Sequence, residues 1–512
     1  MAIALAWLAA VAGAPAQVSA EERDADRLRV VTEHLDLVFS LEEGNPISWR
    51  ACHPSCAPGG RRAVSVDFAG KQDAPQARLR LRGPGTAIDL DRLRFMAETS
   101  EDAKARVVTF QADLPLDGVR LVKSFAVSRE AYDVILTVEL RGANAALLMA
   151  GRRLELELEA GHALFPPPSP GFAGMLEHVQ RVVVGPHGVR VVGDRKEDGH
   201  SLGPADWAGI RNRFWVLALR PDGAASMEPR PGEALTVAMG EPVPPSWRFR
   251  LYSGPVELNV LRAEDPELGR LFLSGLWWWL RVLSLALFHL LRGLTAVIGH
   301  PGVAIIALAG AVKLLLLPLT LVAGKLQDQV NATQARLQPG LDAINAAHRG
   351  EERTRRTLAL YREAGVHPLY ALKSLVGFLI QVPVFIAVFD MLAEDFDLLG
   401  VPFLWIRDLS QPDHLARLPA CVPFFGCYLN LLPFLMSGIS IAASLRHRST
   451  VLPPALARKQ RRNLTAMALA FFLLFYTFPA CMVLYWTSTN AVQLLSQEIG
   501  HAWRRLRHAP QS

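Results

Sequence analysis

The chain contains 512 residues, of which 51% are hydrophobic and 20% are charged, whereas soluble proteins average roughly 45–50% and about 25%. The formal net charge is +6, but the basic residues of the second half lie in loops between apolar runs. This pattern argues against a nucleic-acid-binding protein, which needs a continuous basic face. Residues 21–270 have the composition of a soluble domain and residues 271–500 that of a membrane region, so we predict two compartments within one chain.

The first 18 residues form an apolar run without a charged side chain. Such a run can cross a bilayer, since about 17–25 apolar residues suffice, and it also fits a signal peptide that is cleaved near Ala16 or Ala20. Residues 1–20 are therefore predicted to be either a transmembrane anchor or a signal peptide. Both alternatives place the following domain outside the cytoplasm.

Residues 21–265 are predicted to form an exported all-β domain, a β-sandwich. Hydrophobic and charged residues alternate at 76–82 and at 153–159, a pattern that places one face of each strand on a core. Two valine-rich segments flank residues 185–188, as is typical of a β-hairpin. The histidines of this region lack catalytic-triad or metal-ligand spacing, so we predict no catalytic residue, metal or cofactor.

The five cysteines are too few to form a disulfide framework in a chain of this length. Cys52 and Cys56 are compatible with a disulfide in an oxidising compartment or, together with His53, with a metal site. The remaining three lie in apolar runs, where a small buried hydrophobic residue is expected: Cys421, Cys427 and Cys481.

Residues 266–292 are rich in tryptophan and arginine, which is typical of an amphipathic helix at the membrane interface. An ordinary span is the alternative, but Arg281 would then fall near its centre. Five transmembrane spans are predicted to follow, at 303–322, 374–392, 419–443, 464–478 and 480–497. The last two are short and separated by Pro479, so they are expected to form a tight hairpin.

Basic residues accumulate in segments 323–373 and 445–463 and in the tail 498–512, whereas segment 393–418 carries two arginines against five acids. Loops rich in lysine and arginine remain in the cytoplasm. The first three segments are therefore predicted to be cytoplasmic, and 393–418 and the β-domain periplasmic. Two helical patterns make segment 323–373 a helical hairpin, which is either a docking element or simply a solvated charged surface.

Lys313 lies at the centre of the predicted span 303–322, with ten residues before it and nine after it. A lysine at the centre of a span costs roughly 2.5–3.5 kcal/mol on insertion scales. From this depth its stem reaches the interface poorly. We therefore expect Lys313 to face a water-filled cavity inside the helix bundle.

Other polar side chains fall on defined faces of the predicted spans. They are Thr487, Asn490, Gln493 and Gln497 in the last span, Asn430, Ser437, Ser440 and Ser444 in the third, and Gln381 in the second. Hydrogen bonds between helices would by themselves explain the serines and threonines. Together with Lys313, these polar helix faces predict a hydrophilic groove that binds substrate. Its lining residues are Lys313, Gln381, Asn430, Thr487 and Asn490.

Several short motifs follow one another along the chain. They are Asp206-Trp-Ala-Gly-Ile210, Arg213-Phe214, Tyr252-Ser-Gly-Pro-Val-Glu257, Lys313-Leu-Leu-Leu-Leu-Pro-Leu-Thr320, Tyr361-Arg-Glu-Ala-Gly-Val-His-Pro-Leu369, Leu379-Ile-Gln-Val-Pro-Val-Phe385, Leu404-Trp-Ile-Arg-Asp-Leu409, Phe478-Pro-Ala480, Leu484-Tyr-Trp486 and Thr489-Asn490. In this order they resemble the motifs of the YidC/Oxa/Alb insertase family, and the resemblance extends over nearly the whole chain.

The resemblance implies a multi-pass protein of the bacterial inner membrane, with five core transmembrane helices, an exported β-supersandwich and a groove open to cytoplasm and lipid. It implies an insertase without enzymatic activity or cofactor. Nascent membrane proteins would be its clients, the lipid bilayer its surroundings, and the Sec translocon and the ribosome further candidate partners. Lys313 takes the place of the family's groove arginine, with Gln381 and Asn490 as candidate neighbours.

The chain also departs from the family's pattern. Lys313 keeps the positive charge of the arginine but lacks its planar, five-donor guanidinium. Three further positions carry unusual residues: Thr477 for a tryptophan, Cys481 for a glycine and Asp390 for an aromatic residue. These departures predict a divergent member of the family with a narrowed set of clients.

Two functions of other classes are compatible with parts of the sequence. A secondary transporter usually contains inverted repeats, but no internal repeat is visible in this sequence. A carbohydrate-binding or assembly role of the β-domain would favour aromatic clusters on an exposed strand face. The strands here alternate aliphatic and charged residues instead.

Overall fold

The structure is a computed structural model of the chain. It describes residues 21–24, 26–56, 64–68, 76–83, 86–114, 118–142, 155–160, 164, 171–177, 179–186, 188–192, 207–221, 227–230, 235–239, 245–367, 369–446 and 454–507. The predicted anchor or signal peptide at 1–20 lies outside these residues. The chain divides into two compact units, one drawn from residues 1–167 and 177–274 and the other from 168–176 and 275–512.

The first unit is built on a nine-stranded antiparallel sheet. In spatial order its strands are Gly188–Val192 (β14), Gln180–Gly185 (β13), Trp207–Arg211 (β15), Trp215–Pro221 (β16), Ser246–Pro255 (β19), Asp133–Arg141 (β11), Arg120–Ser128 (β10), Ala105–Asp113 (β9) and Met96–Glu101 (β8). Strands β13 and β14 pair across residues 185–188, so the hairpin predicted there is confirmed.

Two five-stranded sheets complete the first unit. One contains Glu21–Arg23 (β1), Arg27–Val31 (β2), Leu35–Ser40 (β3), Asn45–His53 (β4) and Val64–Asp67 (β5) in chain order. The other has the order Met227–Arg230 (β17), Leu235–Met239 (β18), Glu155–Ala160 (β12), Arg78–Gly83 (β6) and Thr86–Asp89 (β7). The described residues of 21–265 are thus rich in β-strand, as predicted, but they are not all-β, because Leu258–Glu264 form a helix.

The alternating segments of the sequence pair with each other as β6 and β12. Leu79 lies opposite Leu158, and both side chains are fully buried. On the other face, Arg82 pairs with Glu157 at 2.6 Å. Burial of the leucines supplies the stabilising energy, at about 25 cal/mol per Å² of apolar surface removed from water, and the alternation of period two follows from the pleat of the strand.

Aromatic side chains join two of these sheets. Trp49 of β4 is buried, and its indole Nε1 donates a hydrogen bond to Oγ of Ser253 of β19 at 2.8 Å. Cys52 and Cys56 form a disulfide, which decides between the two alternatives that the sequence leaves open. Within the residues described, no group of His, Cys, Asp and Glu side chains has the arrangement of a metal site.

The second unit contains most of the helices. After the short helix Leu258–Glu264 (α1) of the first unit, they are Trp278–Ile298 (α2), Pro301–Leu315 (α3), Leu317–Ala347 (α4), Gly350–Glu363 (α5), Leu375–Glu394 (α6), Leu432–Arg446 (α7), Pro454–Phe475 (α8) and Ala480–Arg507 (α9). Short 3₁₀ helices lie at Leu268–Arg270, Gly171–Leu176, Tyr370–Ser374 and Phe396–Leu398. By length and apolar composition α2 and α6 are able to cross a membrane, and α3 with α4 forms a bent third candidate.

The predicted span 303–322 is not one straight helix. It breaks at Leu316 into α3 and α4, whose axes are bent by 58°. Pro318 lies in the first turn of α4. Proline tolerates this position because the first N–H groups of a helix have no partner within it, whereas inside a continuous helix its ring would clash with the carbonyl of Leu314. Lys313 therefore lies in the last turn of α3, three residues before the break.

The predicted span 419–443 is wrong in its first half. Residues Ala416–Val422 (β20) and Gly426–Leu429 (β21) form a β-hairpin, and helix α7 begins only at Leu432. Cys421 and Cys427 close this hairpin with a disulfide, so they are not the buried hydrophobic residues that the sequence suggests. Pro423 and Gly426, at φ +82°, supply the turn that an apolar composition alone does not reveal.

The other helices differ from the prediction at their ends. Helix α2 runs over Trp278–Ile298 and not 266–292. Helix α8 begins at Pro454, inside the segment predicted as a loop, and α9 continues to Arg507, through most of the predicted tail. Helices α4 and α5 form the predicted helical hairpin of segment 323–373, with α4 beginning at Leu317. Which side of a membrane these segments occupy stays a prediction.

Candidate functional site

The side chain of Lys313 reaches helix α9. Its Nζ donates a hydrogen bond to Oε1 of Gln493, 3.0 Å away. The lysine is half-buried, and its place in the last turn of α3 brings a positive charge to the end of a helix that carries partial negative charge. The partial negative charge at this helix end therefore offsets part of the free-energy cost of keeping a cation among apolar helices.

One turn before Gln493 on α9, Asn490 contacts a third helix. Its Nδ2 donates to Oγ of Ser440 on α7 at 2.8 Å, and Ser440 in turn donates to the carbonyl of Met436 at 2.8 Å. Lys313, Gln493, Asn490 and Ser440 thus form a polar track that connects α3, α9 and α7. Each of the four side chains is at least partly accessible, so the track is open to water or to a ligand.

The remaining residues assigned to the groove do not join the polar track. Thr487 bonds within its own helix, from Oγ1 to the carbonyl of Val483 at 2.7 Å. Gln381 lies half-buried in α6 and makes no hydrogen bond within the part of the chain that the structure describes. The structure therefore joins Lys313 and Asn490 through Gln493 and leaves these two residues apart.

Asn430 has a different set of contacts. It is 3% exposed, its Nδ2 donates to the carbonyl of Tyr476 at 2.7 Å, and its Oδ1 accepts from the backbone N–H of His414 at 3.0 Å. The backbone N–H of Asn430 donates to the hydroxyl of Tyr476 at 3.4 Å. These bonds fasten the segment before α7 to the end of α8, which is a positioning role.

An aromatic cluster holds α9 against its neighbours. The indole of Trp486 lies edge-on to Phe385 of α6, with ring centroids 5.0 Å apart, and 5.3 Å from Phe471 of α8. Phe475 of α8 and Phe389 of α6 are 5.3 Å apart. Such pairs contribute about 0.5–1.5 kcal/mol each beyond their burial, so the cluster fixes the rotation of α9 and with it the direction of its polar face.

A short segment of the chain also belongs to this unit. The 3₁₀ helix Gly171–Leu176 contacts the turn between α8 and α9, where the N–H of Ala173 donates to Oγ1 of Thr477 at 3.4 Å. A Cβ added to Gly171 would lie 2.7 Å from the same oxygen. The small side chain at position 477 is therefore what leaves room for this segment.

Sequence reasoning missed Gln493 and Ser440 as partners in the track. Both lie on the polar faces that the sequence revealed, so the signal was present. Spacing along single helices shows which residues share a face, but it does not show which faces meet.

The comparisons with known proteins match both units. A family model described as "60Kd inner membrane protein" matches residues 293–505, and one described as "YidC periplasmic domain" matches residues 67–290. The chain belongs to the YidC family. The two YidC matches together cover most of the β-rich unit and of the helical unit.

Curated YidC relatives are only moderately similar. The membrane protein insertase YidC of Syntrophobacter fumaroxidans is 28% identical over 414 residues, which are 78% of this chain and 71% of the relative. That of Ralstonia nicotianae is 28% identical over 74% of this chain and 66% of the relative. That of Cupriavidus metallidurans is 33% identical over 48% of this chain and 40% of the relative. The chain thus spans between 40% and 71% of the length of these relatives.

Two solved YidC structures are also similar to the chain. An active YidC insertase with its first transmembrane domain resolved is 18% identical and covers 93% of each chain, with a TM-score of 0.35. YidC from Thermotoga maritima is 14% identical and covers 93% of this chain and 98% of its own, with a TM-score of 0.31. At these scores the membership in the family rests on the sequence matches.

Proposed function

We propose that this chain is a membrane protein insertase that inserts integral membrane proteins and helps them fold. The relatives that it matches carry this name. The observation that supports a site for this activity is the hydrogen bond of 3.0 Å between Lys313 and Gln493. This bond brings a cation and polar side chains together at the end of α3, a helix whose other residues are apolar.

The mechanism is physical and involves no covalent chemistry. A short polar or acidic segment of a client enters a hydrophilic groove along the polar track, where the ammonium of Lys313 attracts its charge. A hydrated groove lowers the desolvation cost that this segment would pay in lipid. The apolar helix of the client then leaves sideways into the bilayer, driven by burial of its apolar surface.

The helices suit a membrane-embedded bundle. The leucines around the bend between α3 and α4 are exposed, with Leu314 at 70% and Leu315 at 66%, and such surfaces are covered by lipid in a membrane protein. We propose a five-helix core made of the bent pair α3–α4, α6, α7, α8 and α9. The β-rich unit and the α6–α7 connection lie in the periplasm, and the α4–α5 hairpin lies in the cytoplasm.

In this arrangement the protein is a multi-pass protein of the bacterial inner membrane. Nascent membrane proteins are its clients, and the bilayer receives them. The α4–α5 hairpin and the basic end of α9 are the surfaces we assign to the ribosome. The protein acts alone or together with the Sec translocon.

The proposal is tested with full-length protein in proteoliposomes and a single-span client that has a short acidic exported tail. We expect Lys313→Glu to block insertion, because it repels the acidic tail, and Lys313→Arg to support it. Lys325→Glu is the matched control for Lys313→Glu, since Lys325 is an exposed lysine of α4, and it should leave insertion unchanged. Insertion by Lys313→Glu at the rate of the unchanged protein would contradict the role of Lys313. A lack of insertion by the unchanged protein would contradict the proposed activity.

A further inference from the structure

The connection between α6 and α7 contains a cavity that lies apart from the polar track. Its volume is about 340 Å³, which is at the lower end of the range for small-molecule pockets. Its walls include Arg407, Asp408, His414, Leu415, Arg417 and Tyr428. They come from the segment after α6 and from the disulfide-closed hairpin β20–β21.

The walls of this cavity are held by buried hydrogen bonds. Oδ2 of Asp413, a residue 2% exposed, accepts from the N–H groups of Leu431 and Leu432 at 2.7 and 3.1 Å and from the indole of Trp405 at 3.0 Å. The N–H of Leu415 donates to the carbonyl of Leu429 at 2.9 Å. The cavity is therefore part of a preformed structure, which reduces the entropy that a ligand must offset on binding.

Most carboxylates of the connection bind groups other than its two arginines, Arg407 and Arg417. Asp395 and Asp397 pair with Arg292 of α2. Asp413 accepts the bonds described above, and Oδ1 of Asp408 accepts from the N–H groups of Gly400 and Ser410 at 2.9 and 2.8 Å. Four of the five carboxylates in this acidic segment thus have partners other than the two arginines.

Arg407 and Arg417 are exposed at the cavity. Neither forms an ion pair with the residues that the structure describes. The ring of His414 also lines the cavity and packs against Tyr428, tilted by 33° with centroids 4.2 Å apart. Burial lowers the pKa of its imidazole. Two permanent cations facing one cavity with a single carboxylate at its wall fit an anionic ligand.

Exposed apolar side chains lie along the same connection, and one of them, Leu415, lines the cavity itself. Leu404 is 75% exposed, Leu415 42%, Val422 44% and Phe424 42%. The segment joins α6, a helix long and apolar enough to cross a membrane, to the shorter apolar helix α7. Aromatic and apolar side chains next to cations at the end of such helices are typical of the interface between membrane and water.

We propose that this cavity binds the phosphate of an anionic phospholipid. Arg407 and Arg417 hold the phosphate oxygens by charge-assisted hydrogen bonds, for which guanidinium geometry is well suited. The exposed apolar side chain of Leu415, which also lines the cavity, contacts an acyl chain of the same lipid. A free phosphate or a soluble phosphate ester fits the cations equally well but leaves this apolar side chain without a partner.

The test uses the full chain in nanodiscs of phosphatidylcholine and phosphatidylglycerol in equal amounts. The protein is then released from the nanodiscs, and native mass spectrometry counts the lipids of each kind that remain bound to it. We expect phosphatidylglycerol to be retained in preference, and its retention to fall about fivefold for each arginine replaced and about thirtyfold in Arg407→Gln/Arg417→Gln. The matched control Arg94→Gln/Arg190→Gln removes the same charge from exposed arginines of the first unit and should change nothing.

Equal retention of the two lipids, or unchanged retention in the double variant, would overturn the proposal. The single variants are measured as well, so that a folding defect of the pair does not decide the result. A second arm offers glycerol phosphate, which has the headgroup without acyl chains. Binding of glycerol phosphate at least tenfold weaker than that of the lipid supports a lipid site, and equal binding of the two would show a site for free phosphate esters and overturn it.

Discussion

Nζ of Lys313 and Oε1 of Gln493 lie 3.0 Å apart, although 180 residues separate them in the sequence. The bond joins the end of α3 to the middle of α9. Lys313 lies three residues before the 58° bend at Leu316, so the lysine and the bend are at the same end of α3. In the last turn of α3, Leu314 and Leu315 are exposed, while the ammonium of Lys313 lies against the amide oxygen of Gln493.

Replacing Gln493 tests whether the partner of Lys313 matters. Gln493→Leu removes the acceptor and leaves the ammonium beside an apolar side chain, so we expect insertion of the acidic-tail client to slow about threefold to tenfold, which corresponds to about 1 kcal/mol for one such bond. Initial rates in proteoliposomes measure the effect. Gln329→Leu, at an exposed site of α4, is the matched control. Equal rates for the two variants would show that the bond is dispensable.

Asn430 offers a prediction about stability. Asn430→Ala leaves the carbonyl of Tyr476 and the N–H of His414 without their partner in a buried place, and we expect a loss of about 1–3 kcal/mol in the free energy of unfolding. Hydrogen exchange of the full chain, followed at α7 and α8, measures it. Asn331→Ala, which removes only a bond to Gln327 on the same helix, should cost less than about 0.5 kcal/mol. A similar effect of both substitutions would contradict the positioning role of Asn430.

Substitutions of Thr477 test its contact with the 3₁₀ helix Gly171–Leu176. Thr477→Trp fills the space beside Gly171, where atoms of Thr477 already lie within 2.9 Å of the point that a Cβ on this glycine would occupy, so we expect it to displace the segment. Overpacking of this kind costs about 1–3 kcal/mol. Faster hydrogen exchange at residues 171–177 is the readout, and Thr477→Ser, which keeps the hydroxyl, is the control. Protected amides in the tryptophan variant would contradict the prediction.

Two histidines of the β-rich unit, His34 and His53, predict that its free energy of unfolding depends on pH. The ring of His34 stacks on Tyr132 at 4.3 Å, and Nδ1 of His53 lies 2.7 Å from the hydroxyl of Tyr132. Burial lowers the pKa of both imidazoles below 6.5. Between the folded pKa and 6.5 the unfolded chain binds more protons than the folded one, so the unfolding free energy falls as the pH falls below 6.5.

Hydrogen exchange of the β-rich unit at a series of pH values, corrected for the intrinsic exchange rate, measures this dependence. The double variant His34→Gln/His53→Gln should flatten it. His348→Gln, in the second unit, should leave it unchanged. A slope that persists in the double variant would assign the effect to other groups.

Much of the architecture follows from local patterns. The period-two alternation predicts β6 and β12, because a pleated strand with one buried face requires it. The division into a β-rich and a helical unit follows from composition. The sequence also identifies the polar faces of the last spans, since spacings of three and four residues define one side of a helix.

Other features depend on partners that are distant in the sequence. An apolar composition does not distinguish the hairpin β20–β21 from the start of a span, and only the disulfide between Cys421 and Cys427 with the capping of α7 by Asp413 shows the difference. The same holds for Asn430, which lies before α7 and whose three bonds reach His414 and Tyr476.

Charge and hydrophobic periodicity are local properties, so they are sufficient to identify one lysine, Lys313, in an apolar segment beside helices with polar faces. The position of this lysine in the folded chain and its contacts depend on tertiary packing. The bend at Leu316 moves it from the centre of a predicted span to the end of α3, and the packing of Trp486 against Phe385 and Phe471 turns the polar face of α9 toward it. Which faces meet depends on side chains from three helices at once, and no single segment contains that information.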